Sequence, residues 1–277
     1  MNRLLHFGLV FFVLTACSKY TITTYKLPKE LKEISGLSSF NDSVLIAHND
    51  GGNEPRLFFL TKKGKIIHSC TFPNVKNIDW EDITIDPKGI IYIADVGNNL
   101  NNRTDLSIVK VDGNLAIKQD TCSAEVIHLS YAKQTSFPPK RDALNFDCEA
   151  IAWRNDSLFL VTKPRNIPWI GFADLYAIPT IKGIYTLQPI DSLMIGSTGW
   201  KKDAPTALEI NGNKALLLTY NRMIFIEIIS GKWKQKSSFV FNNISQKEAI
   251  TMDAKAIYIA AEKHRILGGP FLYVLEK

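Results

Sequence analysis

One interval governs what this chain can fold into. Five similar quartets, Ile34-Ser35-Gly36-Leu37, Trp80-Glu81-Asp82-Ile83, Cys148-Glu149-Ala150-Ile151, Pro205-Thr206-Ala207-Leu208 and Lys247-Glu248-Ala249-Ile250, each precede a strand-like run ending in a small or polar residue. From the second quartet residue to the end of that run the chain advances 12, 13, 12, 12 and 12 residues. A third run follows in every unit (56–60, 106–111, 173–178, 223–228, 271–275), and a fourth in the first four (66–72, 125–131, 184–190, 236–241). The fifth unit lacks its fourth run, and 21–27 can supply it. Four-stranded units spaced 46, 68, 57 and 42 residues apart predict an all-β, five-bladed β-propeller. Six blades is the alternative count. An N-terminal strand joining the last blade closes the ring and removes the edges an open array would expose. A β-sandwich would account for alternating strands but not for five copies of one interval.

The first seventeen residues set the expected compartment. Arg3, an apolar run over 4–13, and then Leu14-Thr15-Ala16-Cys17 resemble a bacterial lipoprotein signal. This predicts cleavage before Cys17, lipidation of Cys17, and a single domain over 18–277. An ordinary secretory signal is the alternative; a run of ten residues is too short to span a bilayer. The expected location is the bacterial cell envelope, with the outer membrane favoured because Ser18 and Lys19 lack an acidic retention residue. Cys70, Cys122 and Cys148 remain, an odd number that allows at most one internal bridge. With 45% hydrophobic and 22% charged residues the chain is neither disordered nor a polytopic membrane protein. Its formal charge of +6 is spread without a basic block, which argues for small anionic partners and against nucleic acid. Membrane contact through the lipid alone, and a monomer, complete the expectation.

Inner strands of a propeller line its channel, so Ser35, Glu81, Glu149, Thr206 and Glu248 should meet at one level of the axis. Three carboxylates within about 5 Å repel by roughly 3 kcal/mol per pair at an effective dielectric of 20. A hard divalent cation relieves this, and an oxygen-only ligand set favours calcium over zinc. Asp82 and Asp203 are placed to assist from behind. A hydrated channel with more widely separated carboxylates is the metal-free alternative.

The order Ser, Glu, Glu, Thr, Glu over five blades resembles the central calcium site of the calcium-activated nucleotidases, the apyrases, with Thr206 in place of a serine. That resemblance implies Ser35, Glu81, Glu149, Thr206 and Glu248 as calcium ligands. The chain is also similar to bacterial propellers carrying Ile-Ser-Gly-Leu, His-Asn-Asp, Asp-Trp-Glu-Asp-Ile and Ala-Asp-Val-Gly-Asn-Asn, found here at 34–37, 48–50, 79–83 and 94–99. The nucleotidases place an acidic pair followed by Arg after the second strand of the first blade. Here that position reads Asn49-Asp50-Gly51, so one acid is missing and Asp50, Asp95 and Glu262 are the general-base candidates.

The loops after the second strands each carry an arginine: Arg56, Arg103, Arg165, Arg222 and Arg265. With Lys163, Lys263 and His264 they would form an electropositive mouth for phosphate or carboxylate groups. Solvated or acid-paired arginines are the alternative. His48 and His264 are expected to form hydrogen bonds, and Trp169 is the tryptophan expected to meet a ligand. Together these features predict a calcium-containing envelope propeller that binds an anionic small molecule and could hydrolyse a phosphate or ester. A non-catalytic surface propeller binding another ligand or a protein is the alternative.

Overall fold

The computed structural model describes residues 20–241, 245–266 and 268–276. Five sheets, antiparallel but for one added strand, stand around one axis. Blade 1 comprises Ile34–Ser39, Val44–Asn49, Arg56–Thr61 and Ile66–Thr71. Blade 2 comprises Trp80–Ile85, Ile90–Asp95, Ser107–Asp112 and Glu125–Tyr131. Blade 3 is Cys148–Arg154, Ser157–Thr162, Phe172–Pro179 and Asp191–Met194. Blade 4 is Pro205–Asn211, Lys214–Thr219, Arg222–Ile229 and Lys232–Val240. Blade 5 is Lys247–Met252, Ala256–Ala261, Phe271–Glu276 and, from the other end of the chain, Thr21–Lys26. That closing strand runs antiparallel to Phe271–Glu276, from Thr21 opposite Glu276 to Lys26 opposite Phe271. The fold is therefore the expected five-bladed propeller, closed as expected.

The core lies in the seams. Five buried apolar clusters each join facing sheets, as where Ile46, Leu57 and Phe59 of blade 1 meet Trp80, Ile91 and Val109 of blade 2. Alternation along each strand makes this work, because a period of two gives every sheet two apolar faces, one for each neighbour.

The outer edge of blade 3 departs from expectation. The run 184–190 was expected as its fourth strand, but Ile184–Leu187 instead pairs in parallel with Glu125–Tyr131 of blade 2. Asp191–Met194 fills the vacated place beside Phe172–Leu175. Pro189 explains the division: it offers no N–H to a ladder, so one apolar run is split between two blades.

Cys17 and the preceding segment lie outside the described residues. No helix among the described residues is long and apolar enough to cross a membrane. Cys70, Cys122 and Cys148 are free thiols.

Candidate functional site

Each inner strand breaks register at one place. The pairing skips between Ile34 and Gly36, Trp80 and Ile83, Cys148 and Ala150, Pro205 and Ala207, and Lys247 and Ala249. The skipped residues include Ser35, Glu81, Glu149, Thr206 and Glu248. A β-bulge bends its strand and re-aims a side chain, so the repeated quartet is a bulge that turns one residue per blade toward the channel. All five are buried.

What they do there differs by type. The Ser35 hydroxyl donates to the Glu81 carbonyl at 2.5 Å, and Thr206 Oγ1 donates to the Lys247 carbonyl at 2.9 Å, so both hydroxyls lock neighbouring blades. The three glutamates face a cavity of about 310 Å³ at the upper mouth, where the inner strands begin. Lys163 Nζ lies 2.9 Å from Glu149, and the Glu248 carboxylate accepts from Gln246 Nε2. Burial raises the Glu149 carboxyl to about 8 against the pull of Lys163, and the Glu248 carboxyl to about 7. Burial, then the charges of Glu149 and Asp50, push Glu81 well above the usual carboxylate range. Lys163 is pulled down by burial, but Glu149 and the acids around it hold its ammonium above the ordinary lysine value.

Two acids that sequence reasoning missed complete the cluster. Carboxylate oxygens of Asp50, Asp79 and Glu81 lie within 4.8 Å of one another, and so do those of Glu81, Asp147 and Glu149. Among the described residues no such trio includes Glu248, so the expected grouping of Glu81, Glu149 and Glu248 is replaced by two trios sharing Glu81. The signal was available: Asp79-Trp80-Glu81 and Asp147-Cys148-Glu149 repeat an Asp two residues before the bulged Glu. Burial, together with Asp50 and Asp147, lifts Asp79 to about 6. Asp147 is held by Asn98 N–H at 2.7 Å and Arg165 Nε at 2.6 Å.

The assisting acids are engaged elsewhere. Asp82 is fully buried and accepts three backbone N–H groups, from Ile83 at 2.8 Å, Ile151 at 2.9 Å and Leu208 at 3.0 Å. It ties blades 2, 3 and 4 together behind the cluster. Asp203 accepts from Thr198 and pairs with Arg222 at 2.9 Å. Of the three base candidates, Asp50 and Glu262 line the cavity and burial raises both carboxyls. Asp95 does not line it: the carboxylate accepts the Asp79 N–H and pairs with Arg103, both at 3.0 Å.

The expected electropositive mouth is not assembled. Lys163 and Arg165 line the cavity, against six acids, Glu33, Asp50, Glu81, Glu149, Glu248 and Glu262. Arg56 turns to Glu54, Arg103 to Asp95 and Asp105, and Arg222 to Asp203, while Lys263 and Arg265 are exposed beyond the lining. Each of these guanidinium groups is taken up by a carboxylate of its own loop or, for Arg222, of the segment before blade 4, so the three do not fan around the axis. An adjoining hollow shares Trp200, Tyr220 and Gln246 with the cavity and adds Lys201 and Lys202, which sequence reasoning did not single out. Trp200 lines the cavity, whereas Trp169, the tryptophan expected to meet a ligand, donates its indole N–H to the Gly196 carbonyl at 2.8 Å. His48 is fully buried, bonds the Asn49 carbonyl through Nδ1 at 3.0 Å, and is lowered by burial to about 4, which keeps it neutral. His264 Nδ1 accepts the Ile266 N–H at 3.2 Å.

The lower mouth, where the inner strands end, opens on a second hollow of about 600 Å³. Ser38, Thr84, Glu209 and Thr251 line it, three residues beyond the bulged positions. Thr251 Oγ1 donates to Glu209 at 2.7 Å and accepts the Ser39 N–H at 3.0 Å, and Thr84 Oγ1 accepts the Trp153 N–H at 2.9 Å.

No protein-family model matches the chain, and no curated protein matches it. Among solved structures it is similar to glutaminyl cyclase from Myxococcus xanthus, with a TM-score of 0.57 and 11% identity over 93% of this chain and 96% of that one. It is similar to the PQQ-bound form of aldose sugar dehydrogenase from Streptomyces coelicolor, with a TM-score of 0.52 and 10% identity over 92% and 98% of the two chains. A luciferin-regenerating enzyme gives 0.51 and 10% over 93% and 96%. These likenesses define the class as β-propeller. At such identities they establish the fold alone.

Proposed function

We propose that this chain is a lipid-anchored envelope propeller whose upper mouth holds a calcium ion and, through it, binds an anionic small molecule. The observation that carries this reading is the imbalance in one small cavity, six acids against two basic groups. Glu33 is half-exposed and paired with Lys32, but holding the other five carboxylates together largely out of water is costly unless protons or a cation offset it. Hard oxygen donors without histidine or cysteine suit calcium. The cation would turn an acid-lined pocket into one that accepts phosphate or carboxylate, with Lys163, Arg165, Lys201 and Lys202 as the surrounding positive groups. The likeness of the bulged residues to the apyrase channel supports the same choice of metal.

Hydrolysis of a phosphate or ester would draw on Glu262, which lines the cavity as a general-base candidate and whose carboxyl burial raises above the ordinary value. The non-catalytic alternative is favoured by Asp95, whose carboxylate is committed to Arg103 and the Asp79 backbone. A phosphate-release screen with calcium present or chelated separates the two. For the metal itself, calcium should raise the melting temperature and EGTA should lower it, since a ligand at a thousandfold excess over its dissociation constant adds about 4 kcal/mol. Indifference to both would remove the reading. The anchor rests on the apolar run and Leu14-Thr15-Ala16-Cys17. Cys17→Ser should shift the protein out of the membrane fraction, and unchanged retention would count against lipidation.

A further inference from the structure

The two acid trios at the upper mouth share Glu81 but differ in what already neutralises them. In the blade 3 trio Glu149 has Lys163 at 2.9 Å, and Asp147 has Arg165 at 2.6 Å and the Asn98 N–H at 2.7 Å. That half carries its own cations. The other half has no contacting cation among the described residues: Lys163 acts on Asp50 and Glu81, and Arg103 on Asp79, only at longer range, and Asp50 accepts the adjacent Gly51 N–H at 2.6 Å. Among the described residues, no hydrogen-bond donor or basic group contacts the Asp79 or the Glu81 carboxylate. Glu81 is 5% exposed, and its unpartnered carboxylate points into the group it forms with Asp50 and Asp79.

The surrounding chain is built to hold this group together. Asn77 Nδ2 donates to the carbonyls of Asn49 at 3.1 Å and Asp50 at 2.9 Å, while its Oδ1 accepts the Trp80 N–H at 3.1 Å. One side chain therefore fixes the Asp50 loop of blade 1 against the Asp79 loop of blade 2. The Gly97 N–H donates to the Asp79 carbonyl at 3.1 Å. A Cβ on Gly97 would collide with Glu81 Oε1 and the Asp79 carboxylate, and one on Gly51 would collide with Asp79 Oδ1. The two glycines leave space that the carboxylates occupy. Three of the sequence patterns noted above, at 48–50, 79–83 and 94–99, thus converge on a single point.

We infer that the cation sits off the propeller axis, in the seam between blades 1 and 2, held by Asp50, Asp79 and Glu81, while Lys163 and Arg165 serve as fixed counter-ions for Glu149 and Asp147. This rests on the proposed calcium-binding function and departs from an axial site built on Glu149 and Glu248. Three carboxylates, two from loops and Glu81 from the start of Trp80–Ile85, leave the cavity side of the ion open to an anionic group, opposite Lys163 and Arg165.

Calorimetric titration of calcium into the purified full chain in detergent tests the placement, with Asp79→Asn, Glu81→Gln and Glu248→Gln beside the parent. Asp79→Asn and Glu81→Gln should each weaken calcium by about tenfold or more, because ligand charge sets affinity, while Glu248→Gln stays within about twofold. In EGTA the Asp79→Asn protein should melt no lower than the parent, since mutual repulsion falls with the charge. If Asp79→Asn does not fold, Asp50→Asn gives the same reading. Loss of affinity in Glu248→Gln with Asp79→Asn unaffected would overturn the off-axis site and leave a calcium-binding propeller with an axial ion. A parent that binds no calcium would remove the proposed function as well.

Discussion

The two mouths of the channel are made by the same five strands, yet they have opposite characters. At the upper mouth the bulges turn long carboxylates inward, and Asp79 and Glu81 find no donor among the described residues. At the lower mouth, three residues later and back in regular pairing, short hydroxyls take their place. There Thr251 serves both Glu209 and the Ser39 backbone, so the polar groups satisfy one another. The difference teaches that register, more than composition, decides which end of a propeller is poised for a ligand. Asp82 stands between the two ends and is spent entirely on backbone.

The largest test removes the ring that both mouths depend on. Deleting Thr21–Lys26 unpairs Phe271–Glu276 and should cost several kcal/mol, against a typical total of about 5–15 kcal/mol. Urea unfolding should then show the stability collapsed and both mouths' ligand and pH responses lost together. A truncated chain that unfolds like the parent would mean that the closing strand is dispensable. Next, Asp82→Ala strands three buried N–H groups and should lower stability by about 4 kcal/mol or more, with Asp82→Asn losing less. Equal, small losses in both would deny that this carboxylate joins three blades.

Glu209 gives the lower mouth a pH signature. Burial raises its carboxyl from the ordinary 4.5 to about 7, against the hydrogen bond from Thr251. The folded state therefore keeps its proton to higher pH than the unfolded chain does. The stability this lends is full below pH 4.5, declines between 4.5 and 7, and is gone above. Glu209→Gln should match the parent at pH 4 and exceed it at pH 8 by about 2 kcal/mol, with calcium affinity unchanged. Parallel pH profiles would place Glu209 in a more watery setting. The smallest effect belongs to Arg56→Ala: its contact with the exposed Glu54 should be worth less than about 1 kcal/mol and leave the calcium response intact.

Much of this was legible in the sequence. The constant interval gave the blades, and the deficit of one strand in the fifth unit pointed to 21–27, because repetition and edge closure are properties of the chain itself. The bulged residues were legible as positions but not as partners. Whether Glu149 meets Glu248 or Lys163 depends on how far each side chain reaches across a channel, and spacing along the chain does not carry that distance. Arg56, Arg103 and Arg222 looked like a ring because each follows the same strand; each is claimed by a carboxylate on its own loop or a neighbouring one. The strand at Ile184–Leu187 was legible but its partner was hidden, because an apolar run does not say which sheet it will join.

That displaced strand has a mechanical consequence. A four-residue ladder bolts blade 2 to blade 3, whereas on that side blade 1 meets blade 2 through the isolated bridge of Thr71 and Thr121 and through hydrogen bonds of the His68, Thr71 and Asn74 side chains. Blades 2 and 3, joined there by backbone, carry Asp79, Glu81, Asp147 and Glu149, and blade 1 carries Asp50 across a joint made by side chains and the Thr71 bridge. An ion gripped by Asp50, Asp79 and Glu81 would act as a latch across that joint. Its arrival would be felt as slower amide exchange along the joint between the first two blades, while the ladder between blades 2 and 3 stayed as it was.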